Sequence, residues 1–257
     1  MKQEEQENLW GYAKRLRFVR QTIAEVFPRR EAGSLSVLDV GCGNGSQLAL
    51  PLARHGFQVT GVDIHEPSIE HARQDVGDLK NARFVCGRVE DLNPEPFDIV
   101  ILSEVLEHVR EPYELLTAST RYLSNNGMMI VTVPNGFGEF EIDSWLFRKL
   151  RGQRIVDALY KSKQKIIAAT DNYADDHVQF FRRRRLLRLF EQSALSVFRQ
   201  GAATFLAGPV VGHTLARSPR FIEWNARVAD KLPLLLASGW YFALRRRENR
   251  KLTETDA

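Results

Sequence analysis

Val37-Leu38-Asp39-Val40-Gly41-Cys42-Gly43-Asn44-Gly45 is the stretch on which the fold turns. Its first half is apolar and β-branched, which reads as a buried strand. Its second half places glycine at alternate positions, which lets a chain turn tightly and bring bare backbone N–H groups against a ligand. Residues 46–55 then read as a helix with Leu48, Leu50, Leu52 and Ala53 free to pack. Strand, glycine loop and helix form the nucleotide-binding opening of a doubly wound α/β domain. The next strand-like run, Gln58–Val62, ends at Asp63. A carboxylate there can accept both hydroxyls of a ribose.

The loop resembles motif I of the class I S-adenosylmethionine-dependent methyltransferases in its D-x-G-x-G-x-G form, carried here by Asp39, Gly41, Gly43 and Gly45. A dinucleotide dehydrogenase would carry glycine at position 46, where this chain has Ser46. A dehydrogenase sets a pyrophosphate on the helix N-terminus. The methyltransferase loop faces an amino-acid carboxylate and ammonium. The resemblance implies S-adenosylmethionine as cofactor, held by Asp39, Gly41, Cys42, Gly43, Gly45, Asp63 and Ile64. It also implies an acid after the third strand to accept from the adenine amino group. Glu90 and Asp91 both stand there; Glu90 is the preferred candidate, with Val89 lining the ring. Ser103 closes the fourth strand, at the edge where open α/β sheets bind ligands.

A chain of 257 residues can bury a sizeable core, and one domain over 1–257 is the expectation. Hydrophobic content of 44% and charged content of 26% are ordinary for a globular protein, and a formal charge of +4 is only mildly basic. The opening Met1-Lys2-Gln3-Glu4-Glu5-Gln6-Glu7 lacks the layout of a signal peptide. The apolar run from Leu232 to Leu244 is interrupted and too short to span a bilayer. With two cysteines, Cys42 and Cys86, and neither a secretion signal nor a histidine at metal spacing, a reducing cytoplasm is expected and both thiols read as packing residues.

Residues 1–30 read as an amphipathic helix ended by Pro28, with Leu9, Tyr12, Ala13, Leu16, Val19, Ile23 and Val26 at three- and four-residue steps. Strands are expected at Ser36–Val40, Gln58–Val62, Ala82–Cys86, Phe97–Leu102 and Gly127–Val133, with helices at 46–55, 67–76, 104–108 and 112–123. This alternation implies a parallel sheet covered on both faces. The helix Arg183–Ser193, a strand near Leu195–Gln200, a helix over 218–231 and a last strand over Ser238–Leu244 complete the pattern. The family resemblance implies a seven-stranded Rossmann-like sheet with an antiparallel last strand. Residues 136–178 form a long basic and aromatic segment, expected to be a helical substrate cover, and 248–257 read as a solvated tail.

Ser103-Glu104-Val105-Leu106-Glu107-His108-Val109 is the second informative stretch. As a helix it would bring Glu104, Glu107 and His108 onto one face beside the methyl donor. Two carboxylates and an imidazole suit Mg²⁺, Mn²⁺ or Zn²⁺, and His177 would complete the set. The E-x-x-E-H segment with a downstream histidine resembles two families, the ubiquinone-biosynthesis O-methyltransferases and the small-RNA 2′-O-methyltransferases. A metal would lower the pKa of an acceptor hydroxyl so that its oxyanion attacks the sulfonium methyl. Without one, His108 or His177 would be the general base, with Glu104 beside it. The basic 136–178 segment fits an interfacial helix on anionic lipid, a solvated cover or a phosphate-tracking surface; the modest charge disfavours nucleic acid.

The chain therefore reads as a methyltransferase acting on a hydroxyl of a small or lipid-linked acceptor. It is expected in the cytoplasm, with a peripheral place on the inner face of a membrane open to it. A nicotinamide-dependent oxidoreductase and a cofactor-binding but inactive regulatory module are the alternatives. The oxidoreductase is disfavoured by the glycine spacing and by the want of a Tyr-x-x-x-Lys pair, since Tyr160 is followed by Gln164.

Overall fold

A computed structural model describes residues 7–8, 11–136, 178–207 and 218–247 of the chain. The greater part of the expected 136–178 cover, including His177, and the 248–257 tail lie outside the described residues.

The strands are β1 (Ser36–Val40), β2 (Gln58–Asp63), β3 (Ala82–Cys86), β4 (Phe97–Ser103), β5 (Leu123–Pro134), β6 (Leu195–Ala202) and β7 (Gly239–Arg246). They form one seven-stranded sheet in the order β3-β2-β1-β4-β5-β7-β6. The first five pair in parallel. The last, β7, is inserted antiparallel between β5 and β6. The order reverses beside β1, which opens a crevice at the carboxyl ends of β1 and β4. This is the class I methyltransferase architecture expected from the resemblance.

Side chains alternate across the sheet with the strand period of two. Val37, Ile99, Ile101, Ile130 and Ala243 join one core, under α1 (Tyr12–Val26), α2 (Ala49–Arg54) and α3 (Glu66–Asp75). Leu38, Val100, Leu102, Met129, Val131 and Phe242 join the other, under α4 (Pro112–Arg121) and α5 (Arg183–Gln192). A sixth helix, α6 (Pro219–Ala229), is capped by the Ser218 hydroxyl, which accepts from the Phe221 amide. None of the described helices is long and apolar enough to cross a membrane.

Four expectations are revised. The N-terminal helix is Tyr12–Val26 rather than 1–30, since Gly11 takes a left-handed φ of 73° ahead of it and Phe27 leaves the helical path before Pro28. The helix after the glycine loop starts at Ala49, not 46, because Asn44 to Leu48 are spent on the turn; Asn44 Oδ1 accepts from the Ser46 amide and hydroxyl. β5 begins at Leu123, so Asn125-Asn126-Gly127 lies within the strand rather than before it. The helix at 104–108 is absent. Glu104 adopts a left-handed φ of 57°, and only a 3-10 turn, Leu106–His108, follows. The Glu104 amide donates to the Thr132 carbonyl of β5, which carries sheet pairing one residue past β4, and it is the left-handed backbone at Glu104 that takes the chain off a helical path.

Candidate active site at the carboxyl edge of the sheet

A cavity of about 690 Å³ opens where β1, β2 and β4 end, roofed by α1. Gly41, Cys42 and Gly43 form its floor. Gly41 and Gly45 have φ of 71° and 74°. A Cβ on Gly41 would fall 2.5 Å from Val105 Cγ2, and one on Gly45 would fall 2.8 Å from the Phe84 ring. The loop can thus follow this path only with glycine at these two positions.

Asp63 closes the loop from the side. Its Oδ2 accepts from the Gly43 amide at 2.8 Å and its Oδ1 from the His65 amide at 2.9 Å. Each oxygen keeps a lone pair for a ligand hydroxyl. Asp39 is buried at the loop's root. Burial, then the nearby Asp63 charge, pushes its carboxyl up to about 7, with Arg15 opposing. Burial also drives the Cys42 thiol up, and Asp39 and Asp63 add to this, so Cys42 stays protonated and packs.

Beyond Asp63 the wall changes character. Ile64 is exposed beside the crevice although apolar, and Val89 is buried opposite. Glu90 lines the cavity and pairs with Arg88 at 3.1 Å. Asp91 is turned back to accept from the Arg88 amide at 3.0 Å. The two adjacent acids that sequence left ambiguous therefore point to different places.

On the other side stands Arg15, which the sequence reading passed over. It is 4% exposed. One guanidinium nitrogen donates to Gln47 Oε1 and Ser103 Oγ, both at 3.1 Å, and the other lies 3.4 Å from Glu104 Oε1. The Tyr12 ring is 5.5 Å from the guanidinium carbon. Burial opposes its charge, yet Glu104 and the two tyrosines Tyr241 and Tyr12 outweigh this and its pKa is raised. A signal existed in sequence. Position 15 falls three residues after Tyr12 and four before Val19, so a charge lies inside the apolar stripe. Gln47 and Thr132 carried no such signal.

Glu104, Glu107 and His108 all line the cavity, but not from one helical face. Glu104 Oε1 accepts from the Thr132 hydroxyl at 2.7 Å. Glu107 is 1% exposed, its Oε1 3.8 Å from His108 Nε2 and its Oε2 without a hydrogen-bond partner among the described residues. Burial and then the Glu104 charge raise the Glu107 pKa well above its ordinary value, which favours the neutral form of the carboxyl. Among the described residues no three His, Cys, Asp or Glu side chains form a metal-holding group. Arg15 already supplies the positive charge at Glu104. Of the expected set, Glu104, Glu107 and His108 form no metal-holding group by themselves, and His177 lies outside the described residues. The main chain after His177 does reach the site, since the Val178 and Gln179 amides donate to the Glu107 carbonyl at 3.0 and 3.1 Å.

Residues 10–200 match the family model described as a methyltransferase domain. The ubiquinone biosynthesis O-methyltransferase of Maricaulis maris (strain MCS10) is 35% identical over 128 residues, which are 47% of this chain and 50% of that one. The enzyme of the same name from Idiomarina loihiensis is 30% identical over 203 residues, 77% of this chain and 74% of that one. The chain thus spans about half the length of some curated relatives it matches and about three quarters of others. Among solved structures, the magnesium protoporphyrin IX methyltransferase of Synechocystis PCC 6803 with bound SAH superposes with a TM-score of 0.53 at 17% identity. That match covers 90% of this chain and 83% of that one.

Proposed function

Because the chain belongs to the methyltransferase-domain family of S-adenosylmethionine-dependent proteins, we propose that it moves a methyl group from S-adenosylmethionine to a hydroxyl of a small or lipid-linked acceptor. One observation carries this. The glycine cradle, Asp39, Asp63 and Glu90 share a single cavity with Arg15, Glu104 and His108. That order of groups matches the cofactor's own polarity from amino acid to ribose to adenine.

The residues present fit the cofactor. Arg15 meets its carboxylate and Asp39 its ammonium. Asp63 accepts from the ribose hydroxyls with the lone pairs left by Gly43 and His65. Ile64 and Val89 clasp the adenine, and Glu90 accepts from its amino group. Bound there, the cofactor supplies an electrophilic methyl on a sulfonium.

The chain's work at the acceptor is to orient a hydroxyl and remove its proton. His108 is the base, its imidazole facing the cavity with Glu107 behind it. Burial raises the Glu107 pKa, which disfavours a second negative charge near the base. Glu104 is held by Arg15 and Thr132, so its carboxylate is fixed before a ligand arrives. Pro134, Ala203, Ala207 and Gly239 make one part of the remaining wall small and uncharged, while Glu111 and Glu114 line another part of it.

Calorimetric titration with S-adenosylhomocysteine, with NAD as control, tests the cofactor. Micromolar binding of the first alone is expected; binding of NAD alone would replace this reading with the oxidoreductase one. A methyl-transfer assay on hydroxylated aromatic and polyprenyl-linked acceptors then tests the reaction. Cofactor binding without turnover on any acceptor would favour the regulatory module.

A further inference from the structure

Next to Arg15 on α1, Lys14 points the opposite way and is 8% exposed. Its ammonium donates to the Ala203 carbonyl at 2.8 Å and the Ala226 carbonyl at 2.7 Å, partners 189 and 212 positions away in sequence. It also pairs with Asp230 Oδ1 at 2.7 Å. All three N–H groups of the ammonium are thereby used. Ala203 follows β6 directly and lines the cavity. Ala226 and Asp230 stand at the C-terminal end of α6, where the exposed carbonyls favour a cation.

The first turn of α1 is poorly secured by its own sequence. Gly11 offers no side-chain cap and no acidic residue lies in that turn. The Tyr12 amide is held by Asn8 Oδ1, and the Gly11 carbonyl accepts from Tyr241 Oη at 3.3 Å. Yet this turn carries the two groups of α1 that face the cavity, Tyr12 and Arg15. Something must fix how deeply it sits.

We propose that Lys14 is a positioning residue for the methyl donor. It clasps α1 to α6 and to the end of β6, and so sets the depth at which the Arg15 guanidinium and the Tyr12 ring meet the ligand. The inference rests on the reading of the cavity as the S-adenosylmethionine site. Lys14 is buried but the Asp230 side chain is 60% exposed, and a pair with one solvated partner contributes little to stability by itself. A clasp that sets geometry differs from it in one measurable way: its loss changes ligand affinity beyond its effect on stability.

The test compares Lys14→Met, Asp230→Asn and the wild type by calorimetric titration with S-adenosylhomocysteine and by thermal unfolding. Asn81→Ala is the control. Asn81 bridges the Ala53 and Phe57 carbonyls at 2.7 and 2.8 Å, and its loss is costly but away from the cavity. Lys14→Met is expected to weaken binding about tenfold and Asp230→Asn about threefold, since the latter leaves the two carbonyl bonds intact. Asn81→Ala should lose comparable thermal stability and bind as the wild type does. Wild-type affinity in Lys14→Met overturns the proposal, as does an equal loss of affinity in Asn81→Ala. Should Lys14→Met not fold, Asp230→Asn decides, and wild-type affinity there overturns the clasp. A wild-type protein that fails to bind the ligand overturns the cofactor reading itself, and the clasp with it.

Discussion

The two halves of the cavity are built by different means. The half over β1–β3 is made by short-range chain. The glycine loop follows β1, Asp63 ends β2 and the 89–91 turn lies shortly after β3, and the contacts of Asp63 and Asp91 are to backbone N–H groups. The half over β4, β5 and α1 is made by long-range side chains. Arg15 reaches Ser103 across 88 positions, and Thr132 reaches Glu104 across 28. A backbone cradle tolerates variation around it but not within it. A buried side-chain network depends on every member, because a charge left without its partner in a low dielectric is expensive. Ligand geometry in the first half is therefore a property of the loop, and in the second half a property of the whole fold.

That contrast can be broken first at Asp63. Asp63→Ala removes the ribose acceptor and leaves the Gly43 amide without its partner, so affinity for S-adenosylhomocysteine should fall by about 100-fold. Calorimetry checks this; unchanged affinity would remove the local half from the cofactor site. Next comes Arg15→Met, which should cost about thirtyfold, or about 2 kcal/mol, in the same titration. It should also lower the Tm, because Glu104 loses a buried partner. A loss of stability at constant affinity would make Arg15 structural only.

A pH series sharpens the comparison further. Asp39 is pushed up to about 7, above the usual range for a carboxyl. Its raised value means that the ligand-free protein holds an extra proton relative to the unfolded chain. The stability from this group is full below about pH 4 and is lost as pH rises through about 7. The ligand's ammonium favours the ionised form, so affinity should run the other way and rise by up to about tenfold between pH 6 and pH 8. Proton release on binding, read from buffer-dependent calorimetric enthalpies, is the direct check. A flat affinity profile with no proton release would separate Asp39 from the ammonium.

The smallest effect is expected at Glu107. Burial raises the Glu107 pKa and so favours its neutral form, which glutamine matches in shape, and Glu107→Gln should change stability at pH 7 by less than about 1 kcal/mol. Denaturant unfolding measures it; a loss of several kcal/mol would mean that the carboxylate is ionised. In the same preparation, millimolar Mg²⁺, Mn²⁺ or Zn²⁺ should raise the Tm of the wild type by less than about 1 °C. A large rise, lost in Glu107→Gln, would restore a metal held with His177.

The legibility of the site follows the same division. β1 and β3 begin and end where sequence placed them, and Asp39 near the end of β1 and Asp63 at the end of β2 lie at the cavity, because glycine spacing and strand patterning are local facts. The helix assumed for 104–108 failed because i, i+3, i+4 spacing reports only what a helix would do. The Thr132 carbonyl captured the Glu104 amide, and nothing near Glu104 in sequence announces Thr132. Arg15 and Lys14 were legible in part, as charges inside an apolar stripe, but their partners were not.

Sequence by itself determined the sheet and the glycine loop, because strand patterning is local and Gly41 and Gly45 take left-handed φ of 71° and 74°, a local demand that glycine meets. It also determined the order of acids along the strand ends. Only tertiary structure decided that Glu90 rather than Asp91 faces the cavity, that burial raises the Glu107 pKa, and that Arg15 stands over Ser103 and Glu104. Those outcomes depend on burial and on charges brought together from remote segments, and desolvation is a property of position in the fold rather than of position in the chain.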